Sequence, residues 1–143
     1  MKLNLGGTEG EKYGHITCGL DNEADVKHDL NQDFPFSDNS IDEIFASHIL
    51  EHLDDPFHFF AECYRIMTDG ARLEIHVPHV TAWGASFGTF EHKQFFHESA
   101  IDCVTGKIGS SIFPHQFKHV ETHVKRAKWL IWQKREIVWI LEK

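Results

Sequence analysis

The 143 residues, 41% of them hydrophobic, suffice for one compact domain over 1–143 with a buried core and leave no room for two. A formal charge of −8 excludes a general nucleic-acid binder, because phosphate contacts require a basic stripe; the one cationic cluster, Lys125–Lys128 with Lys134 and Arg135, reads as a solvated strand end. No apolar run reaches the ~20 residues of a membrane helix, the opening Met1–Gly7 is too quickly polar for a signal peptide, and Cys18, Cys63 and Cys103 lack any Cys-x-x-Cys spacing; reduced thiols, no membrane partner and a cytoplasmic location are expected.

In chain order, Lys2–Leu5 predicts a short strand that runs into a Gly-rich turn at Gly6, Gly7 and Gly10. His15–Leu20 and Ala24–His28 predict a second and a third strand, and Asn31–Ser40, rich in Asp, Asn and Pro, a turning linker. Ile41–Ser47 is a fourth strand, apolar enough to be buried on both faces as parallel strands tend to be. Asp54 or Asp55 then caps a helix with Pro56 in its first turn; Phe59, Phe60, Cys63 and Met67 form its apolar face and Gly70 ends it. Ala71–Val77 is a fifth strand closed by Pro78.

Beyond it, Thr81–Thr89 reads as a loop, His92–Val104 as a helix stopped by Gly106, and Gly109–Gln116 as a second loop. Lys118–Leu130 and Glu136–Leu141 close the chain as an antiparallel hairpin, with Val120, Thr122 and Val124 alternating. Thr8–Gly14 is too short for a crossover helix, so one sheet face near the ligand end lacks its usual cover. A partner subunit or the surplus of aromatics (twelve Phe, four Trp) would supply it, and a homodimer is the expectation.

The stretch Ser40–Pro78 is the most informative. It spells an apolar strand, a polar tip, a capped helix and a second strand, with polar residues at the carboxyl ends of the strands, where open α/β sheets bind ligands. Its block Asp-Phe-Pro-Phe-Ser-Asp-Asn-Ser-Ile-Asp-Glu-Ile-Phe-Ala-Ser-His-Ile-Leu-Glu-His-Leu resembles the middle of class I S-adenosylmethionine-dependent methyltransferases. The resemblance implies a Rossmann-like α/β fold, a mostly parallel sheet of order 3-2-1-4-5-7-6 with a C-terminal antiparallel hairpin, here with shortened helical cover. It also implies S-adenosylmethionine as cofactor and direct in-line methyl transfer.

By the same resemblance Leu3-Asn4-Leu5-Gly6-Gly7-Thr8 is the loop against the methionine part of the cofactor, with Thr8 where the family has a second glycine. The acidic ribose ligand of the family falls on Cys18, and Asp21, a few residues later, is its substitute. Asp29 would face the adenine amino group with Leu30 beside the ring, and Ser47 and His48 would stand beside the sulfonium. An isolated Gly pair or a lone Asp after a strand would otherwise be an ordinary turn.

His48-x-x-Glu51-His52 is also the inverted zinc-peptidase motif, whose two His bind metal while Glu activates water. That chemistry wants a continuous helix, whereas here the motif follows an apolar strand directly, and no metal is assigned. Twelve His are an unusual load; most scattered His are surface or satisfied core. His48, His79 and His92 should converge on the ligand edge, where a neutral imidazole takes a proton from a hydroxyl or amine nucleophile. Trp83, Phe87 and Phe90 would wall the substrate. The reading is methyl transfer to a small molecule or a sugar or glycan. The alternatives are a binding protein of the same fold without turnover and, behind it, a zinc hydrolase.

Overall fold

In a computed structural model of the chain, residues 1–6, 14–82, 90–108, 113–126 and 134–143 are described. Seven strands form one sheet: β1 (Lys2–Leu5), β2 (Ile16–Gly19), β3 (Val26–Lys27), β4 (Ile41–Ser47), β5 (Met67–Pro78), β6 (Lys118–Arg126) and β7 (Lys134–Glu142). Their order is β3-β2-β1-β4-β5-β7-β6, as the family resemblance implies. The first five strands run parallel, and β7 and β6 return antiparallel as the closing hairpin. The order reverses between β1 and β4, which opens a crevice at the carboxyl edge there.

The helix α1 (Pro56–Ile66) begins as its sequence dictates. Asp55 is the N-cap, its carboxylate accepting from the Phe57 N–H at 2.8 Å, and Pro56 takes the first turn. Phe59, Phe60, Cys63 and Ile66 pack into a single core with Leu3, Leu5, Ile44, Ala46, Leu73, Ile75 and Trp139. The linker ahead of β4 is tied to α1 by Arg65, which donates to Phe34 O, Phe36 O, Asp38 and the buried Glu62. Glu62 in turn accepts from the Phe34 N–H at 2.6 Å.

Three expectations are corrected. The helix stops at Ile66 rather than Gly70, because Met67 turns extended and pairs with Ile41 of β4. The register then jumps to Glu43 opposite Arg72, and Gly70 (φ +78°) lies in the intervening bulge. The segment 92–104 is not one helix: only Glu98–Cys103 coils, as a 3-10 helix capped by His97. The Phe96 carbonyl, which an α-helix would pair with the Ala100 N–H, accepts instead from the Val80 N–H at 2.7 Å, and Phe96 bridges to His79, while the Lys93 and Gln94 N–H groups donate to Glu51 O at 2.8 and 3.1 Å; the segment is docked by tertiary bonds rather than coiled. Finally, β4 is buried on one side only. Ile41, Ile44 and Ala46 are buried, while Glu43, Phe45 and Ser47 are half-buried.

That second face carries polar side chains. Glu43 pairs with Lys2, Glu74 with Arg72 and His76, and Glu136 with His48 and Lys125. Among the described residues no helix crosses it; residues 7–13, where the missing cover was expected, lie outside the described residues. No helix among the described residues is long and apolar enough to cross a membrane.

Candidate functional site

A cavity of about 380 Å³ opens at the carboxyl ends of β1 to β4, within the range of small-molecule sites. Its floor is made by close backbone approach. Gly6 follows β1 with φ +79°, its N–H donating to Cys18 O at 2.8 Å. A Cβ on Gly6 would meet Ile49 Cγ1 at 2.5 Å, so glycine is required both for the turn and for the space. Gly19 sits against it, an added Cβ falling 3.4 Å from Gly6 Cα.

Its walls come from three loops. After β2 stand Leu20, Asp21 and Glu23; after β3 stand His28, Asp29, Leu30 and Asn31; after β4 stand Ile49, His52 and Leu53. Asp29 Oδ1 accepts from the backbone N–H and the side-chain amide of Asn31, both at 3.0 Å. The backbone donation, opposed by slight desolvation, lowers the Asp29 pKa below the ordinary carboxylate value, so the carboxylate is ionised at the cavity wall. Cys18 also lines the cavity, and burial raises its thiol to about 11; it is neither an anion nor a strong acceptor there.

Of the cofactor residues expected from sequence, Gly6, Asp21, Asp29 and Leu30 line the cavity. Asn4 is fully buried inside the sheet, and Asn4, Ser47 and His48 are not part of the cavity wall. Gly7 and Thr8 lie outside the described residues, as do Trp83 and Phe87, while Phe90 is fully exposed. Sequence reasoning missed Ile49, His52, Asn31 and Lys93 as wall residues. The dense Asn31 and Asp54 turn signals could have pointed to Asn31, since its Oδ1 accepts from the Asp54 N–H at 2.8 Å.

The three histidines proposed for chemistry part company. His48 takes the left-handed conformation (φ +52°) just beyond β4, with Nδ1 3.1 Å from Glu51 Oε1 and Nε2 3.0 Å from Glu136 Oε1. The hydrogen bond to Glu51, opposed by partial burial and reinforced by Glu136, raises its pKa and favours imidazolium. His79 is buried: its Nδ1 accepts from the Thr81 N–H at 3.0 Å, so Nε2 carries the proton and donates to Glu98 at 2.7 Å. His92 stands edge-on to the cavity residue His52, ring centroids 4.8 Å apart. The His48-x-x-Glu51-His52 motif is not in a continuous helix; only Leu50–His52 coil, as a 3-10 turn.

Residues 14–75 match a family described as methyltransferase domain. No curated protein matches the chain. Among solved structures it resembles an S-adenosylmethionine-dependent methyltransferase from Archaeoglobus fulgidus, with TM-score 0.73 and 16% identity over 99% of this chain and 85% of that one. A second such enzyme, from Mesorhizobium loti, superposes with TM-score 0.68 and 10% identity over 99% and 90% of the two chains. The [4+2]-cyclase SpnF has TM-score 0.71 and 11% identity over 99% and 73%. At these identities the likeness is one of fold.

Proposed function

From the methyltransferase-domain match over residues 14–75 and the fold shared with S-adenosylmethionine-dependent methyltransferases, we propose that the chain is such an enzyme and methylates a small molecule or a sugar or glycan acceptor at the carboxyl edge of its sheet. The carrying observation is the cavity itself, floored by the Gly6 turn and walled by the Asp29 carboxylate.

The residues present fit the cofactor. The Gly6–Gly19 approach leaves backbone where a chain of atoms can lie close, and Leu30 and Ile49 offer apolar surface to a flat ring. Asp29, ionised, accepts from an exocyclic amino group, and Asp21 can accept from vicinal hydroxyls at the end of β2. When bound, S-adenosylmethionine supplies a methyl group on a sulfonium, displaced in line while the carbon–sulfur pair stays with sulfur.

The chain's own contribution is to orient both partners and to handle the acceptor's proton. His79 has both ring nitrogens engaged, and His48 is held toward its cationic form between two carboxylates. His92 is in ring contact with His52 of the cavity wall and is the one of the three assigned to take a proton from a hydroxyl or amine acceptor.

Calorimetric titration with S-adenosylmethionine and S-adenosylhomocysteine tests the reading. Binding at about micromolar levels, with methyl transfer from labelled cofactor to a panel of sugars and small hydroxyl or amine compounds, supports it. Binding with no turnover on any acceptor would favour a cofactor-binding role, which Cys18 at the expected ribose position motivates. No binding up to about millimolar would overturn the site.

A further inference from the structure

From the juxtaposition of Glu51, His52 and His92 beside the cavity, we propose a divalent-cation site of zinc type formed by these three residues. One carboxylate oxygen of Glu51 and one ring nitrogen each of His52 and His92 lie within 4.8 Å of one another. Two nitrogens and one oxygen from three side chains, with a position left over, are the donor set of zinc sites that bind a further ligand.

Three features on the page favour an ion over a chance cluster. Glu51 is 1% exposed, and among the described residues its buried Oε2 has no hydrogen-bond partner, a rare state for a carboxylate oxygen. His52 Nδ1 lies 3.2 Å from the Glu91 carbonyl oxygen; since a carbonyl only accepts, Nδ1 carries a proton, and in the neutral ring the lone pair is on Nε2. An imidazole donating its other N–H to a backbone carbonyl is the usual support of a metal-bound histidine. Third, the two segments are locked together by backbone bonds, Lys93 N and Gln94 N donating to Glu51 O, so His92 is delivered to Glu51 and His52 by the fold.

The other His–Glu cluster behaves differently. In His79, His97 and Glu98, both nitrogens of His79 are engaged, and His97 Nδ1 accepts from Ser99 N–H at 3.3 Å. That leaves each Nε2 protonated and directed at Glu98, a hydrogen-bonded clasp of two neutral rings on one carboxylate rather than a set of lone pairs.

His52 belongs to both the triad and the cavity wall, so an ion there borders the acceptor side of the cavity. An acceptor oxygen bound as its further ligand would have a lowered pKa, with His92 then serving as ligand rather than as proton acceptor.

The test uses the metal-stripped 143-residue chain without cofactor, and its result is therefore independent of the methyl-transfer reading. Zn²⁺ is titrated by calorimetry and Co²⁺ by visible absorption, which reports the coordination geometry. One Zn²⁺ per chain, weakened at least about tenfold in both His92→Gln and Glu51→Gln and retained in His97→Gln, is the expected result. His92 is only half-buried, so His92→Gln keeps the test readable if Glu51→Gln fails to fold. No uptake up to about 1 mM would overturn the proposal. So would uptake unchanged in His92→Gln, or lost in His97→Gln alone.

Discussion

Ile49 holds the space that a side chain on Gly6 would need. The β1 turn and the first residues after β4, over forty positions apart in sequence, therefore fit only because one of them is glycine. Gly6→Ala adds a methyl group to a filled space and places a Cβ in the left-handed region. A loss of about 2–4 kcal/mol is expected, read from urea unfolding midpoints, together with loss of cofactor binding by calorimetry. Unchanged stability would mean that Ile49 moves aside freely.

Asp29 serves both as a turn former and as a charge on the cavity wall. Asp29→Asn retains an acceptor for the Asn31 N–H and removes only the charge, so the melting temperature should shift little. Affinity for S-adenosylmethionine should fall about tenfold, the difference between a charged and a neutral acceptor. Equal affinities would remove Asp29 from the cofactor site.

His48 bridges Glu51 and Glu136 as a cation, and this sets a pH signature. Its folded pKa is raised above the ordinary 6.5, so its contribution to stability is complete below that value and is lost as pH rises through the higher folded value. His48→Asn keeps a residue tolerant of positive φ and removes the charge. The gap in urea midpoint between wild type and variant should be wider near about pH 6 than near about pH 9. A gap that grows with pH would contradict the bridge.

Arg65 and Glu62 give the opposite dependence. The Arg65 hydrogen bond, opposed by burial and helped by the Phe34 N–H, lowers the Glu62 pKa below the ordinary 4.5. The stabilisation is therefore present above that value and lost as pH falls through the lower folded one. Arg65→Ala should cost about 2 kcal/mol or more at neutral pH, because it strands a buried carboxylate and frees the linker at Phe34 and Phe36. Acid titration of both proteins by circular dichroism should show the difference shrinking below about pH 4.

Much of this molecule is legible along the chain because its signals are local. The strand and turn alternation, the Asp55–Pro56 cap and the helical spacing of Phe59, Phe60 and Cys63 depend on neighbours within a few positions, and the structure keeps them. The sheet order followed from the resemblance carried by Ala24–Pro78, since spacing alone does not choose among open sheets. Where a segment's backbone partners lay elsewhere in the fold, sequence reasoning failed: 92–96 reads as the start of a helix until the Val80 N–H takes the Phe96 carbonyl that the next turn would have used.

The amino-acid order by itself determined the strands, the capped start of α1, the Gly6 turn and the acidic Asp29 after the third strand, because each rests on short-range sterics and hydrogen bonding. Only the tertiary structure decided which histidines are engaged and which are grouped. His79 is committed to Glu98 and His48 to two carboxylates, while His92 reaches Glu51 and His52 across forty residues of chain. Such contacts are fixed by how loops dock at the sheet's edge, and no spacing rule in a single sequence encodes that docking.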